Sequence, residues 1–457
     1  MINIFSDNQL INKTLDHLFT LIKNQNNKIN QLKKPQTNLS IENHNQVKKL
    51  EQCRGIPSFY NYLKTGNGNG PFLELTDGSV KYDMINGIGI NLLGYSHPIY
   101  IQSHLQSALK DCLICGNLLP DLSYLSFCNK ILENVNQSNL KHFWFATAGS
   151  LANDNALKIL WTKTHPKTRL ITFEKTFAGR TIAGQNITWN KKYKENLPNL
   201  IEVDYVPGPS NEKTAAQITI HALEKLIEKN GDVYSALLIE LIQGEAGFLF
   251  GDSQYYRQVL SWAKQHGIYI WIDEIQTFAR TTELFAFQMF NLNDLVDVVT
   301  IGKALQICGT FYTHELNPKA GVLGGTFAAP YSSLLVANQS LDFLLNNNIY
   351  GAKGLIQEIH RHFIENLERL QQKYGKEVIP YFGGVGLMIS FEVGDSSYEL
   401  TWKFLTQLFD NGVIAFSAGQ KPARIRFLPS LMTTLSHIKE VFDIIEQTLS
   451  EIIIKDK

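Results

Sequence analysis

Between residues 140 and 330 the chain alternates short apolar runs with longer amphipathic stretches, and this rhythm limits the possible folds more than any other feature. The runs are His142-Phe-Trp-Phe-Ala146, Arg169-Leu-Ile-Thr-Phe173, Leu200-Ile-Glu-Val-Asp204, Ser235-Ala-Leu-Leu-Ile-Glu-Leu-Ile242, Ile268-Tyr-Ile-Trp-Ile-Asp273 and Asp297-Val-Val-Thr-Ile301. Several lack polar alternation, as strands covered on both faces by helices must. The expectation is an α/β domain with a mostly parallel central sheet, whose site lies at the carboxyl ends of the strands. One long helix is expected around residues 331–374. Beyond it, strands near 387–393, 413–416 and 424–427 alternate with helices near 398–410 and 434–452, which reads as a smaller α+β domain.

The expected division is an N-terminal helical extension over 1–54, the N-terminal part of the small domain over 55–95, the large domain over 96–345 and the rest of the small domain over 346–457. In the extension Leu10, Leu15, Leu18, Phe19, Leu21, Ile22 and Ile29 recur near helical spacing, so one amphipathic helix is expected to pack on the body or on a partner subunit. The Asn- and Gln-rich run at 24–31 leaves a frayed polar leader as the alternative. A second helix after Pro35 would take Ser40 as its cap.

Charge excludes some partners. Lys and Arg number 42 and Asp and Glu 42, for zero formal net charge, so no bulk field draws nucleic acid or an acidic membrane. A small molecule or a second copy of the chain is the expected partner. Five cysteines are an odd count without framework spacing, which fits a reducing cytoplasm. Cys112-Leu-Ile-Cys115 reads first as two small core residues one helical turn apart, and no metal site is expected. The start has no basic region followed by an apolar one, and no run approaches a membrane span, so neither export nor insertion is expected.

Chemistry concentrates where the apolar runs end. Asp273 closes one run, and Lys303 follows Gly302 just after another. A buried acid needs a cation and a buried amine is a potential nucleophile, so the two together suit a pyridine-aldehyde cofactor. Thr147-Ala-Gly-Ser150 opens a helix and fits either a phosphate grip or a plain cap. There is no G-x-x-x-x-G-K-[ST] signature. Phe177-Ala-Gly-Arg180 places an aromatic beside an arginine across two small residues, where Phe177 could cover a ring and Arg180 grip a carboxylate. Read alone, that pair is also compatible with a core aromatic and a surface arginine. Glu240-Leu-Ile-Gln-Gly-Glu-Ala-Gly247 sets two acids and two glycines at the end of a strand.

In order and over most of the chain, these segments resemble the class III aminotransferases, fold type I pyridoxal-phosphate enzymes that include acetylornithine, ornithine, 4-aminobutyrate and lysine 6-aminotransferases. The resemblance runs from Tyr82-Asp-Met-Ile-Asn-Gly-Ile-Gly-Ile-Asn through Asp273-Glu-Ile-Gln276, Gly302-Lys303 and Gly325-Thr326 to Ile425-Arg426-Phe-Leu-Pro429. It implies that Lys303 forms a Schiff base with pyridoxal 5'-phosphate, Asp273 pairs with the ring nitrogen and Gln276 reaches the ring hydroxyl. Phe177 stacks on the ring, while Gly149 and Ser150 hold the phosphate. Thr326 reaches the phosphate of a neighbouring subunit, which implies a homodimer with shared sites. Arg426 binds the α-carboxylate, Glu245 masks that arginine when an ω-amine is the donor, and Arg180 takes the distal carboxylate of 2-oxoglutarate. Ile88 stands where ornithine aminotransferases carry a tyrosine.

The implied activity is amino transfer from an ω-amine or an (acetyl)ornithine-like donor to 2-oxoglutarate, by a ping-pong route. An aminomutase or racemase on the same scaffold is the alternative, and it would need no Arg180 clamp. The chain departs from the family pattern at Leu151, Ala178, Leu241, Gly383 and a loop after Gln276 that is one residue short. Gln306 and Cys308 resemble the lysine enzymes instead.

Overall fold

The computed structural model describes residues 9–110 and 116–454, so the Cys112 and Cys115 pair lies outside the described residues. The chain divides into two compact units, one of residues 1–109, 358–383 and 387–457, the other of 110–357 with 384–386.

The second unit is built on seven strands: β1 Leu140–Ala146, β2 Arg169–Phe173, β3 Val203–Val206, β4 Tyr234–Ile239, β5 Tyr269–Glu274, β6 Val298–Ile301 and β7 Cys308–Thr313. Their order across the sheet is β1-β7-β6-β5-β4-β2-β3. The pairs β6–β5, β5–β4, β4–β2 and β2–β3 are parallel, whereas β7 runs antiparallel to both of its neighbours. The apolar runs thus form a mostly parallel sheet. β4 is buried at every position.

The sequence pattern did not reveal β7, because Cys308-Gly-Thr-Phe-Tyr-Thr carries no continuous apolar signal. It enters the sheet through close backbone contact. A Cβ on Gly309 would lie 2.2 Å from the Phe143 ring, so only glycine fits there.

Helix α1, Gly149–Thr164, covers one face of this sheet. Its Ala156, Leu157, Ile159 and Leu160 pack with Leu170, Ala236, Leu238, Trp271 and Val298 in one buried cluster. Register sets which side chains share that face. Leu238 pairs with Trp271, Trp271 with Val298, and Asp273 with Thr300. Side chains alternate along a strand, so Asp273 projects on the same side as Trp271, toward α1, and Glu274 projects on the other.

The expected single helix over 331–374 is two helices, Tyr331–Asn346 and Leu355–Tyr374. Asn348 and Gly351 adopt positive φ between them, a conformation no right-handed helix accommodates.

The first unit joins the antiparallel strands Lys64–Asn69, Phe72–Leu75 and Val80–Asp83 to a parallel Val413–Ile414. A second antiparallel set pairs Met388–Phe391 with Arg424–Phe427 and the latter with Phe416–Ala418. Helices Tyr398–Asn411 and Leu435–Leu449 bury their apolar faces here. The amphipathic pattern near the start does form a helix, Gln9–Asn26, yet none of its residues is buried. The next helix spans Thr37–Arg54. Ser40 therefore lies inside it rather than at its cap, and its hydroxyl donates to the Gln36 carbonyl at 3.0 Å.

Candidate functional site

In the second unit, chemistry-bearing residues gather where β1, β2, β4, β5 and β6 end. Asp273 is only 6% exposed. One carboxylate oxygen accepts the backbone N–H of Ile275 at 2.9 Å and the other the Asn153 side-chain amide at 2.7 Å. Burial pushes the Asp273 carboxyl up to about 6, against the pull of those two hydrogen bonds and of the Lys303 charge.

Asn153 is the residue that sequence reasoning missed. Its Nδ2 donates to Asp273 and to the Ala178 carbonyl at 3.0 Å, and its Oδ1 accepts the Thr300 hydroxyl at 2.8 Å. All its hydrogen-bonding groups are thus used, and the network fixes which end of the amide faces the acid. A signal existed in the sequence. An asparagine among Ala152, Ala156, Leu157 and Leu160, on a helix face that should be apolar, is costly unless a polar group opposes it.

The adjacent acid has a different task. Glu274, on the opposite face of β5, accepts the N–H groups of Ala286 and Phe287 at 2.8 and 2.9 Å and the Thr277 hydroxyl at 2.9 Å. These partners make Glu274 an internal brace. Burial raises it to about 7.

Lys303 follows β6 with φ of 58°, in the left-handed region that a non-glycine residue occupies only under constraint. The constraint is local. The Ala304 N–H donates to the Gly302 carbonyl at 2.7 Å, and the Gln306 N–H to the Lys303 carbonyl at 2.9 Å. Cys308 begins β7 beside this turn, and burial pushes its thiol up to about 11. Gly302 admits the contact, since a Cβ there would lie 3.1 Å from the Cys308 Sγ.

Two loops complete this group. The Phe177 N–H donates to one Glu240 oxygen at 2.9 Å and the Gly244 N–H to the other at 3.1 Å. Gln243 adds a bond from its Nε2 to the Glu174 carbonyl at 2.9 Å. The β2 loop that carries Phe177 and Arg180 is thereby fastened to the β4 loop that carries Glu245. Burial and the neighbouring Asp273 charge push Glu240 up to about 8. Gly179 has φ of 107°, and a Cβ there would meet the Ser150 Oγ at 2.4 Å. That approach lets the Arg180 N–H donate to the Ser150 hydroxyl at 3.2 Å. Ser150 lies inside α1, whose cap position is Ala148, so the plain-cap reading of Ser150 does not hold.

Of the other residues singled out from sequence, Thr326 lies on an exposed segment whose backbone approaches Gly116. Ile88 and Arg426 belong to the first unit. Arg426 is 2% exposed, on a strand where it pairs with Ser390 and Phe416. Asn86, Gly87 and Ile88 all have left-handed φ, a rare run that costs roughly 1–2 kcal/mol per non-glycine residue. Asp83 holds this turn by accepting the N–H groups of Ile85 and Asn86 at 2.9 and 2.7 Å, while Asn86 Nδ2 donates to the Leu428 carbonyl at 3.0 Å.

The residues of the second unit fit the cofactor that the resemblance implies. A protonated pyridine nitrogen would give the buried Asp273 its cation. Gln276 is also buried, and its Oε1 has no partner among the described residues. A Cβ on Gly244 would lie 2.3 Å from that oxygen. The N-terminus of α1 presents Gly149 and Ser150, the kind of N–H array that binds a phosphate.

Comparison with known proteins agrees. The model of the family "Aminotransferase class-III" matches residues 58–449. The chain is 27% identical to the acetylornithine aminotransferase of Bacillus anthracis, over 84% of this chain and 93% of that protein. It is 27% identical to the 2-aminoadipate transaminase of Pseudomonas putida, over 82% and 93%. Among solved structures, the lysine aminotransferase of M. tuberculosis superposes with a TM-score of 0.79 at 18% identity, covering 89% of this chain and 99% of that one. That last likeness speaks to the fold, which is fold type I.

Proposed function

The chain belongs to the class-III aminotransferase family, and from that premise we propose that it moves an amino group to 2-oxoglutarate from an ω-amine or an (acetyl)ornithine-like donor. It is a transaminase, and its cofactor is pyridoxal 5'-phosphate. The names of the two 27%-identical relatives, acetylornithine aminotransferase and 2-aminoadipate transaminase, support an amino-acid-derived donor.

When bound, pyridoxal phosphate supplies an electrophilic carbonyl and a protonated ring that draws electrons from the substrate carbon. Asp273 would keep that ring nitrogen protonated, and the Asn153 amide, which donates to Asp273, favours its ionised form and orients it. Lys303 would hold the cofactor through its side-chain amine, and that amine, when free, would move a proton at the substrate carbon. Phe177 would cover the ring, Gln276 would serve the ring hydroxyl, and Gly149 with Ser150 would hold the phosphate. Arg180 takes the distal carboxylate of the keto acid. Arg426 as the α-carboxylate arginine, Glu245 as its mask and Ile88 as a donor-side residue rest on the resemblance. Because the donor's product leaves before the keto acid enters, the kinetics are ping-pong. The observation that carries this reading is the buried Asp273 carboxylate, held by a satisfied polar network through Asn153 and Thr300.

The same reading makes the protein a homodimer in which Thr326 serves the partner's phosphate site. Leu118, Leu119, Leu122, Leu125 and Phe327 of the second unit are all exposed, an apolar surface of the kind that a second copy covers. No helix among the described residues is long and apolar enough to cross a membrane, and we assign the reaction to the cytoplasm.

The test is to load the protein with pyridoxal phosphate and incubate it with 2-oxoglutarate and, in turn, 4-aminobutyrate, ornithine, acetylornithine, lysine and β-alanine. Glutamate should form with at least one donor. Glutamate from none would replace this reading with the mutase or racemase alternative.

A further inference from the structure

Arg180 is exposed at the end of the β2 loop, and its guanidinium lies near two aromatic rings. Its central carbon lies 4.2 Å from the centroid of the Tyr193 ring and 5.9 Å from that of Phe177. The two rings meet edge to face, 6.0 Å apart. Tyr193 sits in the short 3-10 turn Lys191–Lys194, and this turn is tethered. The Gln185 amide donates to the Tyr193 carbonyl at 2.7 Å, and the Lys194 ammonium donates to the Asn186 carbonyl at 3.1 Å. Gln185 and Asn186 belong to the helix Ile182–Ile187, which starts right after Arg180.

Arg180 is therefore held at both ends. Its backbone N–H donates to the Ser150 hydroxyl, and its guanidinium carbon lies over a ring whose own backbone carbonyl accepts the Gln185 amide. A planar cation stacked on an aromatic face keeps its in-plane N–H donors free for a carboxylate, whereas an unsupported arginine would sample many rotamers.

We propose that Tyr193 is a specificity-determining residue of this site, which presents the Arg180 guanidinium to the distal carboxylate of a dicarboxylic keto acid. This rests on the reading of Arg180 as the distal-carboxylate clamp. Tyr193 acts through Arg180 and is a positioning residue. What it tunes is the preference for a dicarboxylate over a monocarboxylate of similar length.

The experiment measures equilibrium binding of glutarate and of butyrate, neither of which can react, to the pyridoxal-phosphate-loaded enzyme. Wild type should bind glutarate the more tightly. Tyr193→Leu should reduce that preference about two- to fivefold, the range expected of one exposed cation–π contact. Tyr193→Phe, which keeps the ring, should restore it. In an Arg180→Ala background, Tyr193→Leu should have no further effect.

If Arg180→Ala leaves the glutarate preference intact, or wild type shows none, the clamp reading of Arg180 fails and this inference with it. If Arg180→Ala abolishes the preference and Tyr193→Leu does not reduce it, the clamp stands and the role of Tyr193 is refuted. Equal weakening of glutarate and butyrate by Tyr193→Leu would also refute it, since that is general damage to the site.

Discussion

Asn153→Ala removes the amide that donates to Asp273 and leaves the Asp273 carboxylate with the Ile275 N–H as its remaining hydrogen bond among those described above. A hydrogen bond to a charged group contributes about 1.5–3 kcal/mol, and 1.36 kcal/mol corresponds to about one pH unit of a group's titration. The Asp273 carboxyl, already pushed up to about 6 by burial, should therefore rise by about one to two pH units, to about 7 or 8. Direction matters here. On the proposed pairing of the cofactor's protonated ring nitrogen with the ionised acid, binding must first remove the proton from Asp273 wherever the pH lies below its pKa. In wild type, affinity for pyridoxal phosphate should fall below about pH 6, and in Asn153→Ala the fall should begin about one to two units higher. Fluorescence titration of the apo-protein with cofactor from pH 5 to 9 reads this midpoint. Thermal unfolding of the apo-variant, run in parallel, separates it from loss of the fold. A folded variant with an unshifted midpoint would refute the argument that Asn153 holds Asp273 ionised.

Lys303→Ala should bind cofactor without retaining it after borohydride reduction, where wild type gains the cofactor mass, and should form no glutamate from any donor; normal turnover would end the assignment. The apo-protein should lose stability as pH rises from 5 to 9. Asp273, Glu274 and Glu240 are raised to about 6, 7 and 8, so the folded state holds protons that the unfolded chain has already released; the benefit is complete below the unfolded carboxyl values and gone above the folded ones. Urea unfolding across that window checks this, a Glu240→Gln variant should flatten the upper part of the decline, and stability that rises with pH contradicts it. Thr326→Ala should loosen pyridoxal phosphate by about 1–3 kcal/mol with sedimentation unchanged; unaltered cofactor affinity would remove Thr326 from the phosphate grip.

The sequence by itself determined the fold class and the family. Runs without polar alternation demand helices on both faces, and that physical demand alone yields a mostly parallel sheet with chemistry at its carboxyl ends. It also marked Asp273 and Lys303, because an acid and an amine closing such runs are costly without a partner. Tertiary structure decided the rest. Asp273 and Glu274 are neighbours in the chain, yet alternation along β5 sends one toward α1 and the other into a brace of backbone N–H groups. Asn153 reads as one polar residue in a helix until the register of β5 against β6 sets Asp273 and Thr300 side by side opposite it. Strand β7 carries too weak an apolar signal to be seen, and it is admitted by the close fit of Gly309 on Phe143. Local pattern reports the burial that each residue requires. Which partner satisfies that requirement depends on register and on approach between distant segments, and only the folded chain supplies those.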